Sequence, residues 1–505
     1  MNRLLPSLGL LSAPLLLAAA PTAAGFAAEP AVASAAAPDA FDDAKRAAER
    51  TYMTGLEELA DWCHGEKAYR LRDKAYMAVL LVDPEHKKAR KFLKYTFDRK
   101  AKEWIRKRPY KEPKKGKPEI VKEGRARRTA LDSAYVEAQL AVIEEFEGKI
   151  SPKRQRGELE VLMAAAPDHP RVRALLGYVG VKRGDKIVWM TKAAKETAER
   201  REAIVAALDE ARDAVPDVED IDLLSPEDEL AVEWTVQLGN DRVRVIGDVD
   251  EDEAEEAAAI GHLAYDFLPF MIGGTQQAPP DFTYYLLADE GSKNDFISSY
   301  PGLSDADREA FPTLRSGWMP GNRVWRVGCW AEEVEQRLDV ALKQTTAAYL
   351  QYEYNIFTKR GWLSEGFGLY INQLVLNTRY SYSITITEYD DPSRPQTDRE
   401  MADTEEDWLE LAARILEDAS PTLLAKTLGR NTTQMTADDV VLAYALVKYL
   451  REGYGRDALA SLCRQIGKED VSSVVALEKF FDARIPDIQK KLLGWIEEVG
   501  GNDFE

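Results

Sequence analysis

Cysteine and histidine are both scarce in this sequence of 505 residues, which holds three cysteines, Cys63, Cys329 and Cys463, and four histidines, His64, His86, His169 and His262. Three widely spaced thiols allow at most one bridge, so neither a disulfide-stapled scaffold nor a thiolate zinc site is indicated. Cys63 continues an apolar stripe, so despite its neighbour His64 it reads as a packed core thiol. The chain has no Gly-x-Ser-x-Gly elbow, no Walker loop, no Cys-x-x-Cys pair and no dinucleotide glycine fingerprint. Positive charge is also in deficit. The 67 basic residues against 87 acidic ones leave a net charge of −20 and a pI near 4.9, which argues against a nucleic-acid partner and against a protein held on anionic lipid.

Long apolar runs are missing except at the start. Leu4 to Ala20 is apolar, but Pro6, Gly9 and Pro14 interrupt it and it falls short of the roughly 20 residues needed to span a bilayer. With Arg3 ahead of it and small residues from Ala23 to Ala28 behind, residues 1–28 read as a cleavable signal peptide rather than an anchor. Residues 29–40, almost all Ala, Pro, Val and Ser, read as a linker. The mature chain is expected to be exported, periplasmic or extracellular, with no membrane contact after signal removal.

The 45% apolar composition is ample for buried cores in two to four domains. Residues 41–215 read as a helical-repeat domain. Tyr52, Leu56, Leu59 and Cys63, and again Val136, Leu140 and Ile143, recur with helical period. Pro84-Glu85-His86 with Arg90 and Tyr95 matches Pro167-Asp168-His169 with Arg173 and Tyr178 at a constant offset of 83. Trp104 and Trp189 follow the two copies, so two helical-hairpin (TPR-like) units are expected. Asp83 reads as a helix N-cap, and His86 and His169 as structural residues.

Charge is uneven along the chain. Arg99 to Arg128 holds 14 basic and 4 acidic residues, while Asp209 to Glu256 holds 19 acidic and 3 basic. The first reads as a solvated basic face and the second as including an acidic linker over 216–227. Asp248, Asp250 and Asp252 are not a calcium loop, because Glu253 and Ala259 stand where its glycine and bidentate glutamate belong. They read as the first turn of a helix.

Beyond Asp228 the pattern turns to strands, with one hairpin around Gly239-Asn240, a strand over Phe282 to Leu287 and a second hairpin around Pro320-Gly321-Asn322. Between them Glu251 to Met271 reads as an amphipathic helix. From Glu332 onward the pattern is almost wholly helical. The expected fold class is therefore α+β, mostly α, with a small mixed sheet lobe before a helical lobe.

This order, ending in Trp362-Leu363-Ser364-Glu365-Gly366 with Tyr370, resembles the gluzincin (peptidase-MA-like, thermolysin-type) metallopeptidases over residues 228–500. The WLSEG segment looks like the one in which that family's glutamate supplies the third zinc ligand. Taken alone it is only a helix start with Ser364 as N-cap. The resemblance implies two histidines four apart on the preceding helix, with a glutamate base beside the first. In the helix Glu333 to Tyr354, Lys343 stands at the first histidine, Gln344 at the base and Ala347 at the second histidine. A register shifted by one gives Leu342, Lys343 and Thr346. Glu365 follows the second position by 18 or 19 residues in the two registers, which is the family's spacing.

Neither register contains an imidazole or a carboxylate. A four-ligand structural zinc is worth on the order of 10–16 kcal/mol, and a lysine–glutamate pair offers nothing comparable to the ion. The expectation is thus a degenerate site without metal, cofactor or catalytic residue, in which Lys343 and Glu365 form a salt bridge. By the same resemblance Trp318, Trp325, Trp362 and Tyr370 are candidates to line a cleft that takes a peptide or protein partner, although core packing is the commoner role for such aromatics. Two rival readings are a zinc metallopeptidase with a relocated site using Glu365 and His262, and an envelope scaffold built on the helical repeats.

Overall fold

The computed structural model describes residues 36–500, apart from 101, 107–109, 112, 114–115, 168, 185, 275–281, 302, 312–315, 319–325, 383–400, 402–406 and 469–470. The expected signal peptide, most of the linker after it, the 320–322 turn and Trp325 lie outside the described residues. Within them the chain is an α+β protein, mostly helical with small sheets, and it divides into two compact units, one ending at Tyr178 and the other beginning at Val179. No helix among the described residues is long and apolar enough to cross a membrane.

The first unit opens with α1 (Ala36–Gly65), α2 (Tyr69–Val82) and α3 (Lys87–Phe92), followed by a hairpin of β1 (Thr96–Asp98) and β2 (Glu103–Ile105). It continues with α4 (Pro118–Glu145), α5 (Pro152–Ala165) and α6 (Pro170–Leu175), and the chain then enters the hairpin β3 (Tyr178–Arg183) and β4 (Lys186–Thr191). The sequence offset of 83 therefore carries one element order, two helices, a short helix and a hairpin, onto a second copy. The helical stripes meet as their period requires. Leu56, Leu59 and Cys63 of α1 pack with Tyr76 and Val79 of α2, while Val136, Leu140 and Ile143 of α4 pack with Phe41, Leu159 and Leu162.

The matched arginines make the same bonds in both copies, whereas of the two matched histidines only the first caps its helix through its side chain. His86 caps α3 by accepting the Ala89 amide on Nδ1 at 3.3 Å, with Nε2 2.9 Å from Glu57. His169 is the N-cap residue of α6 and sits 3.2 Å from Glu137. Arg90 and Arg173 donate to the carbonyls of Pro84 and Pro167 and lie over Tyr95 and Tyr178. The cap expected at Asp83 is instead at His86. Asp83 accepts the Glu85 amide at 3.0 Å, a local turn that delays the helix by three residues.

The second unit contains α7 (Lys192–Asp213), β5 (Glu219–Asp220), α8 (Ser225–Asp228), β6 (Val236–Gly239), β7 (Val243–Gly247) and α9 (Glu251–Ile272). Then come β8 (Phe282–Leu286), α10 (Glu290–Ser299), α11 (Asp305–Ala310), β9 (Gly317–Trp318), β10 (Arg326–Cys329), α12 (Val334–Tyr354) and α13 (Gly361–Val375). It ends with α14 (Trp408–Glu417), α15 (Leu423–Gly429), α16 (Ala437–Lys448), a π-helical turn (Tyr449–Tyr454), α17 (Arg456–Ile466), α18 (Ser473–Phe481) and α19 (Ile485–Gly500).

The sheet runs β5-β6-β7-β8-β10-β9, with β7, β8 and β10 parallel and the outer pairs antiparallel. Its central strands are buried on both faces, which explains why Phe282 to Leu286 reads as a continuous apolar run. Val243, Val245, Tyr284 and Leu286 face the main core with α9 and α12, whereas Ile246, Tyr285 and Leu287 face a second cluster around Phe296 and Trp330. Asp250 caps α9 and places three acids in its first turn, as the dipole favours.

Two boundaries differ from the sequence expectation. The helix α7, grouped above with the helical repeats of 41–215, buries Ile204, Leu208 and Ala211 in the core of the second unit. Its Arg200 donates to the carbonyls of Glu452 and Gly453, and its Arg201 to the Glu452 carboxylate at 2.5 Å. Part of the expected linker 216–227 is also structured: β5 pairs with β6, and the fully buried Glu227 accepts from the Leu224 amide and from Arg244.

Candidate functional site

The helices α12 and α13 lie side by side in the second unit and carry the four residues singled out as degenerate metal positions. Glycine in α13 permits the approach. A Cβ at Gly366 would stand 2.5 Å from the Ala443 carbonyl oxygen of α16, and one at Gly368 would stand 2.8 Å from Cγ of Lys343. The lysine stem therefore runs over a position where only hydrogen leaves room. At its end Nζ donates to Glu365 Oε2 at 2.7 Å, with the two side chains 12% and 6% exposed. The ammonium also lies over the ring of Tyr382, 5.5 Å from its centroid.

Gln344 and Ala347 stand half-buried on the same helix, next to Lys343 and one turn beyond it. The helix starts at Gly361 with Arg360 at its N-cap, not with Ser364 there, so Glu365 lies in the second turn rather than the first.

One turn before Lys343 is a second acid, Asp339, fully buried. Its Oδ2 accepts from the Thr378 hydroxyl at 2.5 Å, and its Oδ1 has no hydrogen-bond partner. Burial pushes its carboxyl above the usual aspartate range, against the pull of the Thr378 hydrogen bond and the Lys343 charge, while Asn372 Nδ2 donates to the Asp339 backbone carbonyl at 2.8 Å. Burial likewise raises the Tyr382 phenol, whose hydroxyl donates to the Gln336 carbonyl. The site is thus a closed polar cluster in which one ammonium faces two carboxyl groups.

Zinc does not fit this donor set. The ion needs deprotonated lone-pair donors held tetrahedrally. Lys343 offers an ammonium already bonded to the one carboxylate at the place where the resemblance requires imidazole, and Gln344 and Ala347 supply neither base nor ligand. His262 is elsewhere, 3.7 Å from Asp241 and 3.8 Å from Asp266. Among the described residues no three metal-capable side chains converge.

Two of the aromatic residues proposed to line a cleft are core residues instead. Trp362 is fully buried and donates to the Ser473 hydroxyl at 3.0 Å. Tyr370 is 1% exposed and donates to Glu452 Oε1 at 2.8 Å. Both face neighbouring helices because α13 is packed all round, so its large side chains have no solvent face to occupy. The backbone of Trp318 pairs with Gly328 at the sheet edge, and Trp325 lies outside the described residues.

Sequence reasoning missed Asp339, Thr378 and Asn372. Asp339 had a signal, the i,i+4 spacing to Lys343 that puts both on one helix face. The other two come from distant segments with no local pattern. The chain matches no family model, no curated protein and no solved structure.

Proposed function

We propose that the chain is an exported, non-catalytic relative of the gluzincin metallopeptidases, with TPR-like helical repeats ahead of a pseudo-peptidase domain that binds a peptide or protein. The observation that carries this reading is the buried Lys343–Glu365 pair on adjacent helices. It puts an ion pair where the resemblance asks for a metal and leaves Gln344, an amide that cannot take a proton from water near neutral pH, at the position of the base. The sheet supports the binding half of the proposal. Among the described residues the short strand β9 is the last of the sheet, antiparallel to β10, and a sheet edge is where an extended peptide can add as a further strand.

The test uses the full chain from Glu29, purified and offered a mixture of unstructured peptides with zinc present, with bound and free peptides read by mass spectrometry. The reading predicts retention of intact peptides and no cleavage. Cleavage abolished by Glu365→Gln would overturn it in favour of an enzyme. Retention unaffected by substitutions along β9 but lost on changing residues of the first unit would overturn it in favour of a scaffold.

A further inference from the structure

Helix α4 carries Arg125, Arg128, Thr129 and Asp132 at positions three, four and seven residues beyond the first, so all four stand on one helix face. With α1 and α2 that face encloses a cavity of about 390 Å3 inside the first unit, at the small end of the range for ligand cavities. The cavity has an apolar floor, built from Leu59 of α1 and from Leu71 and Ala75 of α2. Gly124 brings α4 close to this floor, since a Cβ there would stand 2.7 Å from Cδ1 of Leu71.

The charged groups of the lining are of two kinds. Asp132 is satisfied: Arg128 Nε donates to its two oxygens at 2.7 and 2.8 Å, and the Tyr52 hydroxyl donates to Oδ1 at 2.5 Å. Lys74 and Arg125 are exposed, and among the described residues neither has an ion pair or a side-chain hydrogen bond. Arg72, Arg127, Arg154 and Arg171 of the same unit each hold a carboxylate. With Asp132 neutralised by Arg128, the cavity keeps the two positive charges of Lys74 and Arg125 in a chain whose net charge is −20. Part of the basic stretch 99–128 is therefore turned onto an apolar hollow rather than only onto solvent.

An exposed cation is well solvated by water, so these two charges alone mark nothing. The apolar floor of the same cavity is what selects a ligand, one with an anionic head and an apolar body. We infer that the cavity takes an amphiphilic anion, a short alkyl chain ending in a carboxylate or a phosphate. Arg125 offers a planar fork of N–H donors that fits either oxyanion, and Lys74 offers a mobile point charge. The chain covers Leu59, Leu71 and Ala75, and each CH2 it buries tightens binding by about fourfold. A single anion in the cavity meets this local positive field, whereas an extended polyanion also meets the repulsion of the whole acidic chain. The inference rests on the first unit alone and not on the Lys343–Glu365 pair. Its head group has two sources, a free carboxylic acid or a phosphate monoester.

Calorimetry on the full chain at low salt separates them, with octanoate and octyl phosphate as probes below their micelle concentrations, 1-octanol as the neutral control and acetate as a head without a chain. Saturable binding of one or both octyl anions is expected, with the hexyl analogue roughly tenfold weaker and with octanol and acetate weaker still. The double variant Lys74→Met/Arg125→Met should weaken binding by about tenfold through the loss of two nearby charges. Both positions are exposed and unbonded, so the fold is kept, as an unchanged circular dichroism spectrum would show. Thr129→Phe, at another exposed position of the lining, should block the cavity and abolish binding without changing its charge. No binding of either octyl anion, octanol or acetate bound as tightly as octanoate, or binding unchanged in either variant would overturn the inference.

Discussion

Replacing Lys343 by methionine keeps the length of the side chain and removes its charge, leaving the Glu365 carboxylate 6% exposed and without its ammonium. Breaking one side of a buried pair costs roughly 3–5 kcal/mol, because the stranded charge keeps its desolvation penalty and loses its partner. Glu365→Leu should cost about the same for the opposite reason. In the double variant Lys343→Met/Glu365→Leu no charge is stranded, so its stability should return to within about 1 kcal/mol of wild type or exceed it. In a unit of this size 3–5 kcal/mol lowers the melting temperature by about 4–7 °C. Calorimetry that follows the transition of the second unit reads all four proteins. Single variants within about 0.5 kcal/mol of wild type, or a double variant as unstable as the sum of the singles, would refute a buried, coupled pair.

The glycine that makes room for Lys343 gives a prediction that changes sign. Gly368→Ala should destabilise the wild type, since its Cβ would meet the lysine Cγ at 2.8 Å, and should stabilise a Lys343→Ala background by about 0.5–1 kcal/mol through helix propensity. Asp339 gives a pH dependence. Its folded carboxyl is raised, so its favourable contribution is fully present below the ordinary value near 3.8 and is lost as pH rises through the folded value. Asp339→Asn should therefore be more stable than wild type at neutral pH, with the advantage vanishing in acid, as thermal melts across pH would show. Cys63, Cys329 and Cys463 are buried and unbridged, and burial pushes their thiols up, Cys63 to about 11 and Cys463 to about 12. A thiol reagent at neutral pH should label none of them in the folded chain and all three after denaturation.

Period and punctuation made much of the fold legible. The strand at Phe282 to Leu286, the hairpin turning at Gly239-Asn240 and the helix capped by Asp250 all stand where the pattern put them. The offset of 83 finds a local counterpart in one pair of bonds, Arg90 to the Pro84 carbonyl and Arg173 to the Pro167 carbonyl.

What the pattern could not show was allegiance between segments. The helix α7 has an ordinary amphipathic stripe, and only the tertiary bonds of Arg200 and Arg201 to the 452–453 turn assign it to the second unit. The roles of Trp362 and Tyr370 were missed for a related reason: a helix flanked on several sides buries every large side chain it has, so an aromatic there carries no information about a cleft. At the site, the Lys343–Glu365 contact followed from two helix positions, whereas Thr378 and Asn372 reach Asp339 through a tertiary arrangement that no spacing encodes.

Whether Lys343 and Glu365 hold each other rather than a metal is read most simply from the zinc content of the chain. The full chain from Glu29 would be purified with zinc present, exchanged exhaustively into metal-free buffer and measured by elemental mass spectrometry, beside the triple variant Lys343→His/Gln344→Glu/Ala347→His. Less than about a tenth of a zinc per wild-type chain and a clear gain in the variant are expected, because lone-pair donors then replace an ammonium beside Glu365. One zinc per wild-type chain, lost on Glu365→Gln, would contradict that expectation.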